Sequence, residues 1–436
     1  MNYKLMQDYL LKFLLAASPI VFNPYAELPF RSLRETLFQI VMMGVALCAI
    51  LRIINSSGGR ESIFPRREKN TKTLFLLFVI STAALWISLM VNGADVPAVK
   101  IVLNYMLGGL LFFAFMDSFS RGGVSGWVTI LMVVVFINGA FAIAQFFGWD
   151  PIFQLLGKGD VYRPYLTAGF MDSPNMLAPL LVSVTPYFFA RWMIAGSGRD
   201  FYLYGVPLLL LLIPIAFTRN VAGWLSLAVL LFALIVFFSW YEYRHGAGRV
   251  KRIVFCWLSV ALLVGGGAAN YLKAGETVKL DKIQSIRERV TQNRAAWMMF
   301  RESPLAGKGP NYFYRHFVQY RRAVWFSNPP ERIPERAAHQ AHNDYIQLLA
   351  EGGLLVGLPV TGILMLLLGE QFGAFRRILT ESKVTQNDLL SIGATVGFWA
   401  IAINGVGNFP FHVAPLAIAA LFWAALSHHL IMQRAN

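Results

Sequence analysis

Long apolar runs follow one another through this chain with mostly short polar breaks between them. The hydrocarbon core of a bilayer is about 30 Å thick, so a helical crossing takes roughly 17–25 such residues. By that ruler about twelve spans are expected. They lie near Tyr9–Asn23, Thr36–Ile54, Thr73–Asn92, Val99–Phe119, Gly126–Phe147, Asn175–Gly196, Phe201–Phe217, Val221–Tyr241, Ile253–Leu272, Ile346–Leu368, Leu389–Gly407 and Val413–Met432. Barrel strands would be short and alternating, whereas these runs are continuous, so helices are expected. Of the 436 residues 56% are hydrophobic and only 14% charged, against about 25% charged in a soluble protein. The chain is therefore expected to be an all-α polytopic membrane protein with one integral membrane domain, residues 1–436.

The formal charge of +15 would point to nucleic acid in a soluble chain. Here much of it follows the positive-inside rule, and no nucleic-acid partner is expected. Alternate connections carry Arg52 to Lys72, Arg121, Arg191 and Arg199, Arg244 to Arg252, and Arg376 to Lys383. These are expected in the cytoplasm, with both termini. Lys4, the run from Tyr9 and Ala16-Ala17-Ser18 resemble a signal peptide, but further apolar runs follow at once, so an uncleaved first span is expected. Cys48 and Cys256 each sit inside an apolar run, which argues against a disulfide framework or a cysteine-rich metal site. Gly353/Gly357 and Gly393/Gly397 have the spacing of close helix contacts. The one long polar segment, residues 273–345, is expected as a large, partly helical loop on the outer face, before the tenth span.

Four features on that face are candidates for chemistry. The first is Arg163-Pro-Tyr-Leu-Thr-Ala-Gly-Phe-Met-Asp-Ser-Pro-Asn175, leading into the sixth span. The second is Arg219, which breaks two apolar runs with only Thr218 and Asn220 beside it. A charge at a helix centre costs about 2.5–3.5 kcal/mol on insertion scales; an ordinary interfacial arginine that snorkels is the alternative. The third is the first part of the loop, Ile283 to Arg301. It reads as an amphipathic helix with an apolar stripe of Ile286, Val290, Trp297 and Phe300. Ser303-Pro304 ends it, and Gly307-Lys308-Gly309 then reads either as an anion-binding turn or as a plain turn. No Walker motif is present.

The fourth feature is the end of the loop, with Arg315, Arg321, Arg322, Arg332, Arg336, His339 and His342. Arginine matches phosphate with planar, multiply donating geometry. A lipid diphosphate or anionic glycolipid fits such a cluster, and so does simple contact with anionic membrane lipids. An imidazole titrates near neutral pH and can exchange a proton with a substrate. His339 and His342 are three apart, so one helix could present both. With no nearby Cys and no zincin signature, metal is not expected. Asp344 and Glu351 are placed to orient a histidine or cap a helix.

His342-Asn-Asp-Tyr-Ile-Gln-Leu-Leu-Ala-Glu351-Gly-Gly-Leu-Leu-Val-Gly357 resembles the signature of the O-antigen ligase and O-antigen polymerase superfamily. So do Arg294-Ala-Ala-Trp297 and Ser303-Pro-Leu-Ala-Gly-Lys-Gly309-Pro-Asn-Tyr-Phe313. Upstream, Gly169-Phe-Met-Asp-Ser-Pro174-Asn175-Met-Leu-Ala178 resembles its Gly…Pro-Asn…Ala element, and Thr218-Arg219 its Ser/Thr-Arg element, with Asn220 where glycine is usual. The likeness runs from about Arg163 to Val360. It implies a multi-pass inner-membrane glycosyltransferase whose site faces the periplasm. The donor would be a glycan on undecaprenyl diphosphate, and the acceptor the lipid A core for a ligase or another repeat unit for a polymerase. No cofactor, nucleotide or metal is implied. By residue match, Arg219 and Arg294 would bind the diphosphate and His342 would act on the acceptor hydroxyl, with His339 the competing base. Arg163, Asn175 and Arg289 are further substrate-binding candidates.

The readings ordered by this likeness are ligase, then O-antigen or exopolysaccharide polymerase, then protein oligosaccharyltransferase. A lipid-linked glycan transporter is the alternative from another class. Transporters usually place ionisable groups near the midplane on broken helices with detectable repeats. Here the candidates gather at one face, and no repeat is visible.

Overall fold

The computed structural model describes residues 2–22, 31–55, 69–151, 167–171, 173–196, 198–246, 248, 250–254, 256–258, 276–327, 338–381 and 384–433. Among them there is no strand. The helices are α1 (Tyr3–Ala17), α2 (Ser32–Asn55), α3 (Lys69–Asn92), α4 (Val96–Arg121), α5 (Ser125–Phe146), α6 (Pro174–Ile194), α7 (Gly198–Phe217), α8 (Val221–His245), α9 (Glu276–Glu302), α10 (Tyr312–Ser327), α11 (Asp344–Thr380), α12 (Gln386–Asn404) and α13 (Ala414–Met432). A 3-10 turn, Pro410–His412, lies between the last two. The chain is an all-α polytopic membrane protein: among the described residues, nine helices (α2 to α8, α11 and α13) are long and apolar enough to cross a bilayer. Helix α1, 15 residues, and α12, 19 residues, stand where two more spans are expected. Most of the expected span 253–272 lies outside the described residues.

Helices α6, α12 and α13 form the centre, buried along most of their length. Their contact depends on small residues. A Cβ on Gly393 would lie 2.9 Å from Tyr187 Cα, and one on Gly397 would lie 2.6 Å from the Ser183 carbonyl oxygen. Rising numbers on α12 meet falling numbers on α6, so the two helices run antiparallel. The Trp423 indole on α13 closes the triangle by donating to Ser183 Oγ at 3.3 Å. The expected close approach at Gly393/Gly397 is therefore present. The outer helices turn apolar side chains such as Ile40, Met90, Leu225 and Leu358 outward, as lipid contact requires.

Gly353 and Gly357 do something else. Helix α11 breaks at Gly353, which has φ 62° and ψ −164°. In an unbroken helix the N–H groups of Leu354 and Leu355 would bond to the carbonyls of Ala350 and Glu351. Instead Leu354 donates to Pro304 O at 2.8 Å and Leu355 to Leu305 O at 3.0 Å, while the Ala350 and Glu351 carbonyls accept from Lys308 N and Gly309 N, each at 2.9 Å. The loop after α9 is thus spliced into the helix, and all four backbone groups freed by the break are satisfied. Helix α3 secures the joint: Ser88 Oγ donates to Ala306 O at 2.6 Å and to Glu351 O at 3.0 Å, and Asn92 Nδ2 to Gly307 O at 3.3 Å. Gly357 packs on Leu349 across the break, not on another helix.

The joint tolerates no side chain at its two central glycines. A Cβ on Gly353 would lie 2.2 Å from Leu305 O, and one on Gly307, which also has positive φ, 2.4 Å from the Glu351 backbone. Gly353→Ala and Gly307→Ala are each expected to destabilise the protein by more than about 2 kcal/mol, combining left-handed strain with a backbone clash. Gly369, lower on α11, meets nothing within 4 Å, so Gly369→Ala is expected to be neutral or slightly stabilising. Thermal unfolding in detergent, followed by tryptophan fluorescence, distinguishes the three.

Candidate active site

The residues between the loop and α11 do not form one turn of helix. His342 has a left-handed backbone, φ 52°, and Asn343 caps α11, its side chain accepting from Tyr345 N and Ile346 N at 3.1 Å each. Gln347 reaches back, accepting from Ala341 N at 2.9 Å and donating to Gln340 Oε1 at 2.8 Å. His342 is therefore held in a sharp corner at the head of α11. The expectation that one helix presents both histidines is incorrect. His339 is exposed and stacks on Tyr314, ring centroids 4.5 Å apart, away from His342.

A second segment, between α12 and α13, closes over that corner. Asp344 N donates to Gly405 O at 2.9 Å, and the Asp344 carboxylate accepts from Phe411 N at 3.0 Å and from His412 Nδ1 at 2.6 Å. Tyr345 Oη donates to Ala402 O at 2.7 Å. These bonds bring Phe409 edge-on to the His342 ring, centroids 4.9 Å apart. From α9, Arg289 donates to Gly407 O at 2.9 Å and places its charge beside His342. Burial and the Arg289 charge push the His342 imidazole down to about 4, and the neighbouring Asn408 amide opposes them. The ring is thus neutral at physiological pH. Both His342 Nδ1 and Asn408 Oδ1 are buried without a hydrogen-bond partner.

Arg219 occupies its own corner, between α7 and α8. Its φ is 51° and its side chain is exposed. Thr218 Oγ1 donates back to Ile215 O at 2.7 Å, and Asn220 caps α8 by accepting from Gly223 N at 2.8 Å. Asn220 Nδ2 donates to Asn175 Oδ1 at 2.8 Å. Asn175 thus braces the Arg219 turn, and the residue standing where glycine is usual serves as a helix cap. Arg294 is exposed on α9. Neither Arg219 nor Arg294 forms an ion pair among the described residues, and no described contact joins either to His342. Arg163, Arg332 and Arg336 lie outside the described residues.

Other expectations for the loop are corrected. Ile286, Val290 and Trp297 are exposed; the buried face of α9 is Ala295, Ala296 and Met299, packed with Phe313, Phe317, Ala341 and Ala350. Small residues let α9 lie close to α10 and α11, and a pattern search keyed to bulk misses them. The Gly307-Lys308-Gly309 turn is no anion site, because the Lys308 and Gly309 N–H groups are bonded to α11 and Lys308 Nζ pairs with Glu302 at 2.7 Å. Arg315 is paired with Asp95 at 3.1 Å. Glu351 caps α10, accepting from Phe313 N at 3.2 Å, and Asp344 orients His412 rather than His342. His412 and Asn408 were not singled out by sequence, since they stand in a short connection with no recognisable motif. Among the described residues no group of three or more His, Cys, Asp or Glu could hold a metal.

The site can thus present a neutral imidazole beside one guanidinium, while Arg219, at its own corner, and Arg294, on α9, are exposed guanidiniums without an ion pair among the described residues. That chemistry suits transfer to a hydroxyl from an anionic leaving group. Residues 206–361 match a protein family described as O-antigen ligase. The matched stretch contains Arg219, Arg289, Arg294, His339 and His342; Asn175 and the segment 404–412 fall outside it. No curated protein matches the chain. The stretch that carries Arg219, Arg289, Arg294 and His342, set in an all-helical membrane fold, is thus similar to the O-antigen ligase family.

Proposed function

We propose that this protein transfers a glycan from undecaprenyl diphosphate to a lipid A core at the periplasmic face of the inner membrane, as an O-antigen ligase. The observation that carries the reading is the His342 corner, a buried imidazole held neutral beside the Arg289 guanidinium. Arg219 and Arg294 are exposed and form no ion pair among the described residues, unlike the buried Arg52, which is bonded to Asp117 at 2.6 Å. Uncommitted guanidiniums suit a diphosphate, and a neutral imidazole suits proton acceptance.

In this mechanism the acceptor hydroxyl attacks the anomeric carbon from the face opposite the diphosphate. The bond from that carbon to the phosphate oxygen breaks, so configuration inverts. The diphosphate departs as an anion and needs no proton; Arg219 and Arg294 stabilise the charge it gains. The hydroxyl proton passes to His342, and the protonated ring gains Asn408 Oδ1 as an acceptor. An imidazole at about 4 is a weak base, but a diphosphate docked against Arg289 offsets the charge that depresses it and raises its proton affinity. Arg289 and Asn175 act in binding and bracing.

The test is transfer by the purified protein from undecaprenyl-diphosphate glycan to lipid A core, with chelator present and no nucleotide. His342→Ala is expected to lower kcat by about 10²–10⁴-fold, and Arg219→Ala or Arg294→Ala by about 10²–10³-fold. His339→Ala is expected to remain active. Longer lipid-linked chains with the acceptor unmodified would instead show a polymerase, and donor moved between leaflets without transfer would show a transporter.

The pH profile provides a second check. The base acts only when unprotonated, so activity is lost as pH falls through the His342 pKa. The wild-type kcat/KM is expected to stay level from neutral pH down to roughly pH 5 and then fall, rather than falling near the usual histidine value of about 6.5. Removing the neighbouring cation in Arg289→Gln raises the His342 pKa and is expected to shift this acid limb upward, whatever the variant does to KM. A wild-type midpoint between 6 and 7 would reject a depressed His342 as the base.

A further inference from the structure

His412 lies outside the matched family stretch and is joined to His342 only through other groups. Its Nδ1–H donates to Asp344 Oδ1 at 2.6 Å, while Asp344 Oδ2 accepts from Phe411 N at 3.0 Å. The Asp344 N–H, in turn, donates to Gly405 O at 2.9 Å. One buried aspartate therefore holds both ends of the 405–412 segment. Between those ends lie all three contacts that this segment makes with the candidate base or its cation: Gly407 O on Arg289, the Asn408 amide, and the Phe409 ring against His342. His342 itself sits in a left-handed corner beside the Asn343 cap, and these contacts bear on its ring.

We propose that His412, through Asp344, is a positioning residue that clamps the 405–412 segment over His342 and sets the orientation of the base. This deepens the proposed function and rests on His342 being the base. The aspartate needs a donor that stays in place, and a protonated imidazole supplies one with a charge. Every element packed against the 3-10 turn bears on that charge. From α11, Asp344 and Glu351 favour it; from the start of α2, Arg31 opposes it. The outer ends of α12 and α13 bring no titratable side chain. Burial alone would lower the His412 pKa, but the Asp344 hydrogen bond and the two carboxylate charges outweigh it, and the group lies above its ordinary value. The sign follows from linkage: a raised pKa means the clamp is fully formed below about pH 6.5 and loosens as pH rises through the folded-state value. The two histidines thus shift in opposite directions. His342 sets an acid limit to activity and His412 an alkaline one.

Two readouts on the full-length protein test this, one of them independent of activity. The first is hydrogen-exchange protection, corrected for intrinsic rate, of peptides covering 340–346 and 405–413. In the wild type, protection is expected to drop in a step above pH 6.5. His412→Asn keeps an amide donor near the Nδ1 position and cannot titrate, so the step is expected to vanish; His412→Ala is expected to expose both peptides at every pH. Equal pH dependence in wild type and His412→Asn, or full protection in His412→Ala, overturns the clamp. The second readout is the transfer assay. His412→Ala is expected to lower kcat about tenfold with donor KM nearly unchanged, since a misoriented base slows the chemical step. His412→Asn is expected to recover most of that loss at neutral pH and to lack the alkaline limb. If His342→Ala is inactive and His412→Ala is not, positioning fails while the base stands. If the wild type transfers nothing, the functional reading fails, and the exchange experiment still decides the clamp.

Discussion

Four backbone hydrogen bonds at Gly353 hold the functional half of this protein together. The break takes two donors and two acceptors out of the helix's own ladder, and an orphaned backbone group in a poorly hydrated region costs several kcal/mol. The loop between α9 and α10 answers all four, in the register that the missing turn of helix would have used. The consequence spreads outward from there. The loop fixes the end of α9, and α9 carries Arg289 to the Gly407 carbonyl. Glu351, two residues before the break, caps α10. The upper limb of α11, freed from the direction of the lower limb, carries the His342 corner to the segment before α13.

Much of this architecture is legible in the residue pattern, because lipid imposes one rule on every span. A run of about twenty apolar residues has few alternatives to a helix, and the main helices fall where the runs predict them. The corner at Thr218-Arg219-Asn220 is legible too, as a polar break between apolar runs, whereas the His342 corner is not, since His339 and His342 three apart read as one helix face. What is hidden is the partner of each broken bond. Gly353/Gly357 reads as helix packing, since nothing local shows that Pro304 and Leu305 supply the missing acceptors. The α9 face reads from its bulky residues, whereas packing selects Ala295, Ala296 and Met299. The His412–Asp344 pair spans 68 positions of sequence and follows no spacing rule.

The electrostatics divide the molecule in two. At the end of the bundle away from His342, Arg52, Arg121, Asp8, Asp117 and Gln7 form a closed network in which each charge meets its opposite. Such networks hold helices in place and offer little to a ligand. At the other end the pairing is incomplete among the described residues. Arg315 is matched by Asp95 and His412 by Asp344, while Arg219 and Arg294 keep their charge unmatched. The matched groups hold the frame, and under the proposed reading Arg219 and Arg294 are the ones that meet an anion.

The break in α11 also sets a height. From Leu354 to Thr380 the lower limb extends roughly 40 Å at about 1.5 Å per residue, enough to cross a hydrocarbon core of about 30 Å. The upper limb, from Asp344 to Gly352, adds roughly 13 Å. With the lower limb across the bilayer, the proposed reading puts His342 near the level of lipid headgroups. Under the proposed reading, the phosphates of a lipid-anchored donor and the first sugar they carry come to that same level. Everything beyond that sugar projects into water, away from the helices. Under that reading the site measures its substrate from the lipid end, whatever number of sugars follows.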